Sequence, residues 1–197
     1  MNVSIAKTSL FKFLGNWWFS LFLIYPIWII TDQFWLTLAR NILMAINYNY
    51  PPILGFLFFI INTITLLIHE AGHTIFGVFG WNFLAILGGT LMQLLIPFSI
   101  LITAWWKHQI IVAQTMWFWL GFSWMDTAAY CADAKFQNLP LIGNLPKSAH
   151  DFSNLLSMTG LLDQYRFIAW IFFSVGIICF LIALIWPAVM QKKSPNR

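Results

Sequence analysis

Charge is scarce in this chain. Of its 197 residues only 8% are charged, while 60% are hydrophobic; a soluble domain carries about a quarter charged residues. That scarcity excludes an ordinary soluble domain. Glutamate occurs once, at Glu70. Cysteine occurs twice, at Cys131 and Cys179, with neither a CxxC nor any other metal-ligand spacing, so both read as small apolar core residues. The net charge is +4 with the basic residues scattered. Nucleic-acid binding needs a basic stripe, and there is none. There is no internal repeat and no low-complexity tract. What the chain does have is 12 Trp and 20 Phe, which suit lipid-facing surfaces and interfacial belts. The expectation is an all-α, polytopic membrane helix bundle, one integral domain over 1–197, in contact with membrane lipids in a cell or inner membrane.

Within the apolar background one stretch carries chemistry: His69-Glu70-Ala71-Gly72-His73. Residues four apart share a helix face, so His69 and His73 can aim two imidazoles at one metal ion, normally zinc. Glu70 sits one step round, placed to act as general base on a water. Ionisable groups at membrane depth are expensive and mark function by default.

In chain order, residues 1–16 carry Lys7 and Lys12 ahead of an apolar run, like the start of a signal peptide. No small-residue cleavage site follows, so the run reads as a retained membrane segment. It covers 17–30, meets Thr31-Asp32-Gln33 and resumes over 34–46. That is either one long helix kinked near Pro26 or a span followed by an interfacial helix. Asn47-Tyr48-Asn49-Tyr50-Pro51-Pro52 is a breaker. Further segments are expected over 53–79, 83–106, 110–131 and 167–190, five spans in all, or six if 17–46 divides. In the second segment Asn62, Thr65, His69, His73, Gly77 and Gly80 form a polar or small stripe, the kind of face that turns to other helices. The third holds Gly88-Gly89, which permits close backbone approach, and Gln93, an amide that needs a partner. His108, in the turn after it, reads as a surface residue.

The fourth segment contains Asp126. Short turns make segments two, three and four alternate in direction, so segments two and four end on the same side. His69 and His73 lie about 9–15 Å before that end at 1.5 Å per residue, and Asp126 lies at a similar depth. The metal set expected from this is His69, His73 and Asp126, with an open position for water. The bland reading of Asp126 is a helix-end carboxylate paired with Lys135.

Residues 134–165 form the one long polar stretch, on the same side as the site. It can act as a loop or lid. Within it His150 is an alternative ligand, Asp151 can orient that imidazole, and Asp133 shares a face with Asp126 if the helix persists. The bland reading is a helix start, with Asp151 or Ser153 as N-cap before 155–162. The tail 191–197 is basic and reads as disordered. Counting positive charges over segments two to five leans to a site facing away from the cytoplasm, and the reading of 17–46 as one or two segments can reverse it, so both orientations stay open.

This pattern resembles the site-2 protease group of intramembrane zinc metalloproteases. His69-Glu70-Ala71-Gly72-His73 matches that family's first motif in full. Gly89-Thr90-Leu91-Met92-Gln93 is similar to its Gly-Pro-x-x-Asn motif, with Thr for Pro and Gln for Asn. Trp124-Met125-Asp126-Thr127 stands where Leu-Asp-Gly belongs. The likeness covers the three-helix core, 53–133. It implies one zinc ion held by His69, His73 and Asp126, and hydrolysis of a peptide bond of a membrane-protein or peptide substrate in or near the bilayer. Glu70 would be the base, and Gln93 would contact substrate or oxyanion. Two alternatives share the motif: a zinc-dependent lipid amide or ester hydrolase, and a non-catalytic membrane metal-binding protein. A di-iron oxidase is disfavoured, because four histidines and one glutamate cannot fill its ligand set.

Overall fold

The computed structural model describes residues 2–40 and 51–192. Residues 47–50 of the expected breaker, and 193–197 of the basic tail, lie outside the described residues. Among those described, the regular structure is entirely helical: α1 (Asn2–Arg40), α2 (Pro52–Gly77), α3 (Asn82–Trp106), α4 (Ile110–Ala132), α5 (Asp151–Met158) and α6 (Tyr165–Lys192). Four stretches are long and apolar enough to cross a membrane: Trp17–Leu38 in α1, α2, α3, and Leu162–Met190, which contains most of α6.

Over its described residues the first segment is one helix; 41–46 lie outside the described residues. It runs unbroken through Pro26 and through Thr31-Asp32-Gln33 to Arg40. Leu23, Ile30, Phe34 and Leu38 make one buried stripe at helical spacing, and α1 packs with it against α4 and α6. That continuous stripe outweighs the weak helix propensity of Thr31 and Asp32.

At 23 residues α4 is long enough to span, but its composition is more polar than that of the four long apolar stretches. Its position explains the difference. It packs against α1, α3 and α6, most extensively α6, so its polar groups face protein rather than lipid. The Gln114 amide donates to Ser20 Oγ at 2.8 Å and to the Ala183 carbonyl at 2.9 Å, tying three helices together. Trp119 Nε1 donates to Thr65 Oγ1 at 2.9 Å, tying α4 to α2. Such interhelical bonds contribute roughly 0.5–2 kcal/mol each in apolar surroundings.

Pro52 opens α2, where its missing N–H costs nothing. Gly80, with φ of 69°, makes the turn into α3. The two helices cross at Gly72 and Gly88: a Cβ on Gly72 would strike the Gly88 carbonyl, and one on Gly88 would lie 2.7 Å from the Gly72 oxygen. This close approach brings α3 against the face that carries the histidines. Beyond α4, the segment to His150 is irregular with two short 3-10 turns, and α5 follows. That helix begins and ends earlier than the 155–162 expected. Its N-cap is His150, whose Nδ1 accepts from the Ser153 N–H at 3.3 Å. The two cysteines are buried free thiols, and His108 is exposed.

Candidate metal centre

His69 and His73 occupy successive turns of α2, with ring centroids 4.8 Å apart. Each ring is fixed by its Nδ1. His73 Nδ1 lies 2.9 Å from the Ala85 carbonyl oxygen on α3. A carbonyl only accepts, so His73 carries its proton on Nδ1. His69 Nδ1 lies 2.9 Å from Gln93 Oε1. The orientation of that amide follows from its other end. Thr127 Oγ1 donates to the Ser123 carbonyl at 2.8 Å, so it must accept from Gln93, and the group facing it at 2.7 Å is Nε2. Oε1 therefore faces His69, and His69 also carries its proton on Nδ1.

With Nδ1 protonated on each ring, Nε2 is the nitrogen left to meet a metal ion or a further proton, and both Nε2 atoms converge on one carboxylate oxygen. Asp151 Oδ2 lies 2.9 Å from His69 Nε2 and 3.2 Å from His73 Nε2. Three electron-rich atoms meeting at this range require a cation among them, a proton or a metal ion. The three ligand atoms lie within 4.8 Å of one another, and the donor set, two imidazoles and a carboxylate, is one that zinc takes. Space is left for an ion by Gly89: a Cβ there would lie 2.6 Å from both Nε2 atoms. Histidines whose second nitrogen donates to an amide or backbone carbonyl are the usual ligands of such ions. The residues present fit zinc.

Asp151 is the first residue of α5, and its backbone N–H donates to the Tyr130 hydroxyl at 3.1 Å. Burial alone would raise its carboxyl pKa; the bonds with His69 and His73 outweigh burial and hold it below the usual carboxylate range.

A cavity of about 520 Å³ adjoins the cluster. Glu70, Asp126 and Tyr130 line it, together with Leu139, Ile142 and Leu145 of the 134–150 segment. Part of the polar stretch is thus a wall of the cavity. Glu70 makes no hydrogen bond or ion pair among the described residues, so its carboxylate is free toward the cavity.

The remaining expected site residues are distributed as follows. Asp126 lines the cavity on α4 but stands outside the His-His-Asp grouping, whose third member is Asp151. Lys135 pairs with Asp163 at 2.8 Å, both exposed, and not with Asp126. His150 turns away from the cluster. It is fully buried, with Nε2 3.5 Å from Asp133 Oδ2, and it stacks on Tyr130 at 4.3 Å. Asp133, at the C-terminus of α4, accepts from the N–H groups of Asn138 and Leu139 at 2.8 Å each. These two residues anchor the loop and do not join the cluster. Gln93 was expected at the substrate; its amide is spent inside the bundle, on His69, Thr127 and, at 3.4 Å, the Ser123 carbonyl. Its work is to orient His69. Tyr130 and Thr127 carried no signal in the sequence, since neither belongs to a spacing that chemistry requires.

Comparison with protein-family models, with curated proteins and with solved structures finds no match.

Proposed function

We propose that this protein is a multi-pass membrane hydrolase dependent on one zinc ion, cleaving a peptide bond in or near the bilayer. The observation that carries the reading is the convergence of His69 Nε2, His73 Nε2 and Asp151 Oδ2 beside an unpaired Glu70. His69, His73 and Asp151 would hold the ion. Zinc bound there supplies a Lewis acid that polarises a carbonyl and makes a neighbouring water more acidic.

The chain's own groups do the rest. Gln93 and the Ala85 carbonyl keep both imidazoles in the tautomer that offers Nε2. Glu70 takes the proton of the attacking water and passes it to the leaving amine. The 134–150 wall limits water around the reacting bond. Compared with the site-2 protease pattern, the first motif keeps its role. The third donor differs: Asp151 at the head of α5 stands in place of Asp126 on the core helix.

The test has two parts. Purified protein should hold close to one zinc per chain, and metal-free protein of unchanged fold would refute the site. Cells carrying wild type are then compared with cells carrying Glu70→Gln by proteomics and lipidomics. Peptide fragments that accumulate only with wild type support a peptidase. Lipid cleavage products with no such peptides would assign the same chemistry to a lipid amide or ester.

A further inference from the structure

We infer that Tyr130 is a catalytic residue that binds the carbonyl oxygen of the bond being cleaved, as a hydrogen-bond donor to the oxyanion. The inference rests on the zinc-hydrolase reading of the site and deepens it. It assigns the substrate group that this wall of the cavity recognises: the oxygen of an amide or ester carbonyl as it becomes tetrahedral.

Tyr130 lies one helical turn beyond Asp126 on α4, in the wall that also holds His69, Glu70 and Asp151. Its hydroxyl oxygen accepts the Asp151 N–H at 3.1 Å. It donates to nothing among the described residues. A phenol has one proton to give, and here that proton is unspent beside the candidate metal ligands. Accepting a bond also makes the hydroxyl a better donor.

The ring is held in place from two sides. His150 lies 4.3 Å away at 33° and Phe152 meets it edge-on at 5.7 Å. The His69 ring is 6.3 Å from it. A donor fixed before the reaction needs no reorganisation as charge develops, which is the condition for strong oxyanion stabilisation. Of the other polar wall residues, Asn62 is two helical turns before His69 on α2, about 10 Å of helix rise from the cluster. Glu70 and Asp126 are carboxylates, repulsive to an oxyanion when ionised, and the Gln93 amide is spent.

The test uses the full-length protein in detergent, loaded with cobalt(II), with acetohydroxamate as the probe. Its two oxygens chelate such an ion, and it presents a carbonyl-derived oxygen to the surrounding donors. Visible absorption reports both cobalt binding and the probe. Wild type should bind cobalt and shift its spectrum on adding acetohydroxamate. Tyr130→Phe keeps the ring between His150 and Phe152; it should bind cobalt with wild-type affinity but take the probe about tenfold or more weakly, the loss of one hydrogen bond to a charged group.

Equal probe affinity in the two proteins overturns the inference, as does a wild type that binds cobalt and ignores the probe. Loss of cobalt from Tyr130→Phe also overturns it, because the hydroxyl is then a prop for Asp151 alone. A wild type that takes up no cobalt removes the zinc-hydrolase reading itself, and the inference with it.

Discussion

His69 Nδ1 lies 2.9 Å from Gln93 Oε1, and that bond decides which nitrogen of the ring faces Asp151. The decision passes along a chain of hydrogen bonds: the Ser123 carbonyl orients the Thr127 hydroxyl, Thr127 orients the Gln93 amide, and Gln93 orients His69. Gln93→Leu fills similar space but removes the acceptor. It should lower zinc affinity about 10- to 100-fold, as loss of a partner behind a histidine ligand does, without unfolding the bundle. Competition against a chromophoric chelator measures it. An unchanged affinity would show that His69 orients itself.

Two aspartates compete for the third place around the ion, and they can be separated. Asp151 touches both imidazoles, at 2.9 and 3.2 Å, whereas Asp126 only lines the adjoining cavity. Asp151→Ala should lose zinc on dialysis, and Asp126→Ala should keep it. Zinc content of the two variants, purified side by side, is the readout. The reverse pattern would restore Asp126 as ligand and reduce Asp151 to a hydrogen-bond partner of the histidines.

Gly89 gives a test that touches no ligand. A methyl at this position meets both Nε2 atoms at 2.6 Å, closer than real Cβ contacts allow. Gly77 on α2 is the control, where the same methyl meets only the Ala85 Cβ at an ordinary 3.9 Å. Gly89→Ala should abolish zinc binding while circular dichroism shows a helical protein. Gly77→Ala should bind as wild type. If Gly89→Ala retains full zinc affinity, the ion does not sit between the two rings on that side.

Much of this centre was legible because helices repeat. The four-residue step from His69 to His73 put two rings on one face, and short turns at 80–82 and 107–109 predicted antiparallel neighbours. The depth argument brought Asp126 to the right level, and it does reach the cavity. Asp151 arrives differently: an irregular segment of more than a dozen residues folds back over the site, and no periodicity encodes that return. The role of Gln93 was half legible. An amide at membrane depth had to find a partner, but its partner is His69 and its donors are spent on α4. The place of His150 was not legible for a related reason. A lone histidine in a loop looks like a ligand until the buried carboxylate beside it is seen, and Asp133 lies 17 positions earlier in the chain.

That pair makes the last prediction. Asp133 and His150 are both fully buried, and Asp133 holds the N–H groups of Asn138 and Leu139. Asp133→Ala leaves two backbone donors without acceptors and His150 Nε2 without its carboxylate. Each backbone donor left without an acceptor costs up to roughly 1–3 kcal/mol, and the protein can recover most of that by letting the 134–150 segment open to water. The expected outcome is therefore local: faster cleavage within 134–150 by an added protease, with α2, α3, α4 and α6 intact. Because Asp151 follows His150 directly, the same opening should weaken zinc binding, and saturating zinc should slow the cleavage in wild type more than in the variant. A uniform fall in thermal stability with no new cleavage site would show instead that the pair supports the whole bundle.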